Sequence, residues 1–372
     1  MKIAKITLKK YRNYDNLEIS FNDNLNIIIG DNAQGKTNLL ESIYVLGVTR
    51  SFLSISDKNL IKFNNKASLV RGELLTSTGK LNLEVLINEN GKIVKVNNKE
   101  IKKLSDYISL LNVIVFNSDS IRVFKDSPTA RRKYFNIEIS QINKKYLKLL
   151  GDYNTVLKQR NEFIKVMNIN KSNDMLYLDV LNEKYALLSL EIYKYRKDFI
   201  DNINKYLDDS FKYITGYSNL KLKYISNFGS FDKYMFINKL NDNLARDIQY
   251  KMTLIGPNRD DFYFLLDDKN LSVYGSQGQI RSAVLALKLA EVKLFDDVTK
   301  ESPILLLDDM FSELDINKRN NVLKYLDGSV QTIITTTDIK NISNDIKIKA
   351  NVYEIKEGKI ISREIISKQE GD

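Results

Sequence analysis

Three short runs in this sequence combine residue types and spacings that can do chemistry. The first, Gly30-Asp31-Asn32-Ala33-Gln34-Gly35-Lys36-Thr37, has the form G-x-x-x-x-G-K-[ST] and is followed by Asn38. Glycines let such a backbone curl until its N–H groups point at phosphate oxygens. Lys36 then reaches the β- and γ-phosphates, and the Thr37 hydroxyl ligates Mg²⁺. The second run, Pro303 to Asp309, is an apolar strand ending in two acids, Asp308 and Asp309. The first acid at such a strand end holds Mg²⁺ through water, and the second orients the attacking water. An apolar strand capped by acids is commonplace alone; beside a phosphate-binding loop it becomes a hydrolytic site for ATP and Mg²⁺. The expected catalytic groups are Lys36, Asp308 and Asp309, with Thr37 and Asp308 on the metal. The third run, Gly275-Ser276-Gln277-Gly278-Gln279, precedes a helix. Its hydroxyl and amides suit an anion, although a plain serine N-cap explains the same residues.

Composition limits the alternatives. The chain has 372 residues, 43% hydrophobic and 28% charged, enough for two or three compact units. Cys and His are both absent, which removes disulfides, thiol chemistry, His-bearing metal sites and every histidine base. The net charge of +10 favours a polyanionic partner. No stretch approaches the roughly 20 apolar residues of a membrane span, and no signal peptide follows Met1, so a cytoplasmic protein with no membrane partner is expected.

The elements that must position these runs are legible on either side of a helical middle. Ile3, Ile6 and Leu8, then Leu17, Ile19 and Phe21, alternate as half-buried strands. Leu25–Ile29 reads as a buried strand feeding the glycine loop and a helix from Asn38 to about Leu46. Strands near 69–75, 81–87 and 92–96, with Thr78-Gly79 and Asn90-Gly91 between them, form an antiparallel β layer. From Ile142 the apolar positions Tyr146, Leu149, Tyr153 and Val156 repeat at alternating spacings of 3 and 4, and Leu178 to Phe199 resume the pattern after a polar break at Asn168–Asp174. That is the seam of a helical hairpin reaching roughly 40 Å, or of two ordinary core helices. Residues 207–250 give no clear pattern. A helix from about Gln279 to Phe295, the strand Ile304–Leu307, a helix near Lys318–Leu326 and strands at Thr332–Thr336, Val352–Ile355 and Lys359–Ile366 close the chain. The expected fold is α/β, one nucleotide-binding unit split by an insertion: residues 1–120 with the phosphate loop and β layer, 121–250 as a mainly helical arm, and 251–372 with the serine and acidic runs.

Residues 121–171 hold twelve Lys or Arg against four acids, 12 − 4 = +8. Such a stripe neutralises DNA phosphates without reading bases, and Arg131, Arg132, Lys133, Lys144 and Lys145 are its candidate contacts. A solvated helix face is the plainer alternative.

Phosphate loop, insertion, S-x-G-Q, Asp308-Asp309 and Ser312-Glu313-Leu314-Asp315 come in the order of ABC-type ATPase heads of the SMC/Rad50 group, which the chain resembles. Within that group it is most similar to the RecF family of bacterial recombination-repair ATPases. The matching segments are Tyr11–Tyr14, Gly30–Glu41, Ser127–Phe135, Gly256–Asp261 and Leu306–Asp315. The resemblance implies an ABC-type head in which Ser276, Gln277, Gly278 and Gln279 receive the γ-phosphate held by a second subunit, with Asp315 in the D-loop and Thr337 as sensor. It also implies an ATP-dependent homodimer that clamps duplex, gapped or junction DNA, working with RecR and RecO and, indirectly, RecA. Departures from the pattern are Ser118, Asp126, Asn136 and Asn258, the missing glutamine loop, and Thr335-Thr336-Thr337 where a switch histidine stands in many ABC ATPases. With Asp309 for the commoner Glu, DNA-stimulated hydrolysis should be slow and the nucleotide mainly a switch. A transporter motor subunit, which has no use for a basic arm, and a defence-type ATPase with an added nuclease domain are the alternatives.

Overall fold

The computed structural model describes residues 1–365 except 54, 168–171, 228–231, 311–313, 315, 327, 329 and 338–349. Strands β1 (Lys2–Tyr11) and β2 (Tyr14–Ser20) form a hairpin, and β3 (Leu25–Ile29) runs through the glycine loop into helix α1 (Lys36–Val48). The antiparallel layer continues with β4 (Ala67–Thr76), β5 (Gly79–Asn88), β6 (Gly91–Val96) and the two-residue β7 (Lys99–Glu100), in the order β2-β1-β4-β5-β6-β7. Its turns fall at Gly79 and Gly91, whose φ angles of 124° and 131° are open to glycine. Edge strand β8 (Val113–Phe116) leads into α2 (Ser118–Arg122) and α3 (Pro128–Ile142).

The hairpin follows as α4 (Lys144–Ile164) and α5 (Ser172–Thr215). Most of the polar break expected between them lies outside the described residues. Tyr146, Leu149, Tyr153 and Val156 of α4 and Leu178, Leu181, Tyr185 and Ile192 of α5 are buried, as the 3–4 spacing requires. At 44 residues α5 is about 66 Å long, longer than expected, because its C-terminal half continues onto the head and packs against α9 (Gln277–Thr299). Between these helices lie β9 (Leu220–Ile225), α6 (Lys233–Asp242), α7 (Leu244–Tyr250), β10 (Asp261–Leu266), β11 (Lys269–Asn270) and the short α8 (Leu271–Tyr274). The region 207–250 was illegible because β9 finds its partner β10 some forty residues later.

The chain ends with β12 (Ile304–Asp308), α10 (Ile316–Leu326), β13 (Thr332–Thr336), β14 (Ala350–Lys356) and β15 (Lys359–Ile365). These join the earlier strands in a sheet of order β15-β14-β3-β13-β12-β8, parallel throughout except at β15. The strands at its centre are buried on both faces, with Ile27, Ile28, Ile333 and Ile334 in the core beside buried polar residues such as Asn26 and Thr335. One apolar cluster under this sheet includes Ile121, Phe135, Tyr146, Ile192 and Phe262 with Ala283–Phe295 and Leu305. Segment 121–250 therefore shares its core with the head.

Buried charge clusters hold the insertion together, at Arg160–Asp247, and join it to the head, at Arg196–Asp260 and Lys288–Glu138, among the described residues. Arg160 and Asp247 pair at 2.8 Å with both side chains fully buried, and Arg196 pairs with Asp260 at 2.7 Å. Lys288 of α9 lies 3.3 Å from Glu138 of α3 and 3.1 Å from Glu291. Removing one member of such a pair strands the other charge, at about 3–5 kcal/mol. In the lysine cluster two carboxylates face one cation, and burial pushes Glu138 up to about 8 despite Lys288. The folded protein thus holds a proton that the unfolded chain has released, and stability falls as pH rises from about 4.5 toward 8. Glu138→Gln should flatten this slope, a difference approaching about 1.4 kcal/mol per pH unit. Urea unfolding of both proteins at pH 5.5 and 8 checks it, and parallel slopes would refute it.

Candidate functional site: a phosphate loop against an acidic strand end

Parallel pairing decides where the chemistry gathers. Strand β13 lies between β3 and β12, so the loop after β3 and the acids ending β12 emerge at the same sheet edge, the usual ligand edge of such sheets. Thr37 Oγ1 donates to Asp308 Oδ1 at 3.0 Å across 271 residues.

The loop is braced from two sides. Asn13 Nδ2 donates to the Gln34 carbonyl at 3.2 Å, Tyr14 Oη to the Gly35 carbonyl at 2.9 Å, and Asn38 Nδ2 to Asn13 Oδ1 at 2.9 Å. From the β14–β15 turn, the N–H groups of Glu357 and Gly358 donate to Gln34. Gly35 has φ 114°, and a Cβ there would lie 2.6 Å from Asn13 Nδ2; one on Gly30 would lie 2.4 Å from the Ile355 carbonyl oxygen. Both glycines are required by close approach. The side chains of Tyr11 and Arg12 bind Glu41 of α1, the guanidinium through two bonds of 2.8 Å. The Tyr11–Tyr14 run is thus the buttress of the phosphate loop.

Lys36 Nζ donates to the carbonyls of Gly30 and Asp31 at 2.6 and 2.8 Å, which holds it over the loop. Burial draws its pKa down, opposed by Asp309, Asp308 and Asp31. Asp31, Asn32 and Ala33 stand exposed at the crest. Asp308 is raised by burial and by Asp309, while hydrogen bonds from Thr335 and Thr37 oppose the rise. Asp309 is exposed, with φ 50°, an uncommon left-handed conformation for a residue other than glycine.

Sequence reasoning missed Thr335. Its hydroxyl donates to Asp308 Oδ1 at 2.7 Å and accepts the Asp309 N–H at 2.9 Å, linking the two acids. Thr337, the expected sensor, is exposed just beyond β13. The signal that finds Thr335 is register, since it pairs with Asp308 across the parallel strands. Asp315 lies outside the described residues. The Thr37 hydroxyl and Asp308 carboxylate are hard oxygen donors that fit Mg²⁺.

Ser276 to Gln279 form the exposed N-terminus of α9. Ser276 Oγ accepts the Gln279 N–H at 3.2 Å and Gln279 Oε1 accepts the Ser276 N–H at 2.8 Å, a capping box. In the single chain the plain N-cap is therefore realised. The five expected DNA contacts divide. Arg131 makes two bonds to Asp261, at 2.6 and 2.9 Å, and one to the Asp126 carbonyl. The donors of Arg131 are thus engaged within the protein. Arg132 is half-buried, whereas Lys133, Lys144 and Lys145 are exposed. Arg160, counted in the basic stripe, is fully buried.

Known proteins resemble the chain over nearly its whole length. The family model described as RecF/RecN/SMC N terminal domain matches residues 2–360. A "DNA replication and repair protein RecF" of Ligilactobacillus salivarius is 39% identical over 368 residues, 97% of each chain. The protein of that name from Streptococcus agalactiae is 43% identical over 348 residues, covering 92% of this chain and 93% of its own. This chain belongs to the RecF family. A solved structure of "the recombination mediator protein RecF-ATP in RecFOR pathway" superposes with a TM-score of 0.89 at 31% identity, covering 97% of both chains. An Smc head, at TM-score 0.55 and 15% identity over 99% of this chain and 98% of its own, shares the fold. The ABC-type head of the RecF family is the architecture seen here.

Thr335→Val should leave Asp308 short of one donor and remove the hydroxyl that accepts the Asp309 N–H. The expected result is a loss of about 1–2 kcal/mol in stability and roughly 10–100-fold in Mg²⁺-dependent ATP turnover. Urea unfolding and a phosphate-release assay measure both. Turnover equal to the parent would leave Thr335 a packing residue.

Proposed function

We propose that this chain is an ATP-dependent DNA-binding protein of recombinational repair and replication restart, a slow ATPase in which nucleotide closes two heads on DNA. The observation carrying this reading is the Thr37–Asp308 hydrogen bond at the mouth of a braced phosphate loop, in a chain of the RecF family. The loop N–H groups from Gly30 to Thr37 receive the phosphates of ATP, and Lys36 leaves its carbonyl partners to meet the β/γ oxygens. Thr37 and Asp308 would hold Mg²⁺, which would supply positive charge to offset that of the phosphates. Asp309, fixed through its N–H by Thr335, accepts the proton of the attacking water. A short carboxylate and a hydroxyl neighbour in place of imidazole make turnover slow.

The Ser276–Gln279 helix start takes the γ-phosphate held by a second copy. Its exposure and the open space around Gly278, where a Cβ would meet nothing within 4 Å beyond its chain neighbours and its own helix backbone, suit that docking. The closed dimer binds duplex, gapped or junction DNA through Lys133, Lys144 and Lys145, with Arg132 nearby. The solved relative named as part of the RecFOR pathway supports RecO and RecR as partners and RecA as the recombinase finally served.

Ser276→Arg should leave ATP binding intact and abolish ATP-dependent dimerisation, because the side chain overfills the receiving pocket. Lys36→Ala should bind no ATP. Mixing the two should restore part of the turnover, since the heterodimer has one intact loop facing one intact serine. Sedimentation and phosphate release read the outcome, and a Ser276→Arg chain that dimerises normally would overturn the trans arrangement.

Replacing Lys144 and Lys145 by Ala should weaken binding to unrelated duplexes alike. It should reduce the log–log salt slope by roughly 0.9 for each DNA phosphate that the variant no longer neutralises. Titrations between 50 and about 200 mM salt test this, and an unchanged slope would place the duplex elsewhere.

A further inference from the structure

Two of the runs that mark the family, Ser127–Phe135 and Gly256–Asp261, take no part in ATP chemistry, yet the fold brings them together. Arg131 grips Asp261, and Arg132 Nη1 donates to the Asp260 carbonyl at 2.8 Å. Where they meet, residues of or next to α1, α3, α4 and α5 line a half-open cleft of about 410 Å³ at the root of the arm, within the size range of ligand sites. It lies past the C-terminal end of α1, whose 13 residues set it roughly 20 Å from the phosphate loop.

Its lining is one-sided in charge. Arg50, Arg132, Lys133 and Arg196 face it, and no carboxylate lines it among the described residues. Arg196 is neutralised by Asp260. Arg132 is not, for its acceptors are a carbonyl and the Thr129 hydroxyl. Burial and the nearby Arg196 and Arg259 pull its pKa down against Asp261 and Asp260, so an added anion would be welcome there. The adjoining cavity of about 320 Å³ contrasts with it, because the carboxylates of Asp119 and Asp126 stand among its cations. The opposite wall is apolar. Leu147, Leu150, Asn154 and Leu157 recur at 3, 4 and 3 along one face of α4, beside the seam that packs on α5.

We propose that this cavity is a second nucleotide site, which takes the phosphate of an unpaired nucleotide on Arg50 and Arg132 and its base against Leu147, Leu150 and Leu157. A cationic rim answers a phosphate, an apolar wall answers the face of a base, and the Asn154 amide offers a donor and an acceptor to its edge. A stacked, paired base cannot lay its face on the apolar wall inside such a cleft without leaving its duplex. The ligand is therefore an unpaired unit, from a single-stranded segment of DNA or a free mononucleotide. The proposal rests on the DNA-binding reading above and gives the single strand a cleft that borders the duplex contacts at Arg132 and Lys133.

The test uses the full chain with saturating ATP, so the phosphate loop is occupied. Fluorescence anisotropy follows a 5′-phosphorylated oligothymidine and, separately, a blunt duplex of equal length. Arg50→Glu, exposed at a helix end, and Leu150→Trp, which fills the cavity without changing charge, should each weaken oligothymidine binding at least about tenfold. Duplex binding and ATP affinity should stay as in the parent. If Leu150→Trp fails to fold, Arg50→Glu decides alone. Displacement of the oligomer by thymidine monophosphate would identify the nucleotide unit as the ligand, and its failure would identify the strand. Oligothymidine binding equal to the parent in both variants, with duplex binding intact, overturns the cavity and leaves the DNA-binding reading standing. A parent that binds neither DNA overturns both.

Discussion

Asp308 accepts hydrogen bonds from Thr37 at 3.0 Å and Thr335 at 2.7 Å, and most of the site depends on this pair. A carboxylate buried at a strand end is disfavoured as an anion unless donors surround it. The two hydroxyls come from the strand beside it and from the loop one strand further on. The same arrangement aligns a metal-binding oxygen with the phosphate loop and fixes the backbone of Asp309 through Thr335. The parallel order β3-β13-β12 thus does more than support the site, because it supplies the donors that keep the acid charged.

The loop itself is held by residues distant in sequence. Asn13 and Tyr14 hold one side and the β14–β15 turn the other, while Arg12 and Tyr11 lock Glu41 at the helix that follows. Donors pre-aimed at phosphate need no rearrangement when charge develops there. This bracing also couples the β layer to the nucleotide, since the hairpin β1–β2 is at once part of that layer and of the loop's wall.

The insertion is bound to the head by buried charge as well as by apolar packing. The Arg196–Asp260 pair and the Lys288–Glu138 contact each demand a partner at a defined place. Apolar surfaces tolerate sliding, and buried ion pairs do not. Helix α9 carries Ser276 at its start and Lys288 in its middle, so the position of α3 is tied directly to that of the helix offered to a second subunit. Charge counted along the sequence overstated the surface stripe for the same reason: Arg131 and Arg160 belong to this internal network.

Local patterns determined a great deal. Gly30–Thr37 and Asp308-Asp309 declared phosphate and metal chemistry, because loop curvature and strand-end acids depend on neighbouring residues. The period-2 strands, the glycine turns and the 3–4 seam of Tyr146 to Val156 were legible because each follows from burial of one face. Residues 207–250 were not, since β9 is defined by a strand far along the chain. Nor was Thr335 distinguishable from Thr336 and Thr337, which only the register of β13 against β12 separates. Tertiary structure alone decided which arginines face water and which lie buried against Asp247, Asp260 or Asp261, and it alone placed Ser127–Phe135 beside Gly256–Asp261. A sequence records which charges exist. Which are neutralised depends on distances between residues a hundred positions apart, and those distances exist only in the folded chain.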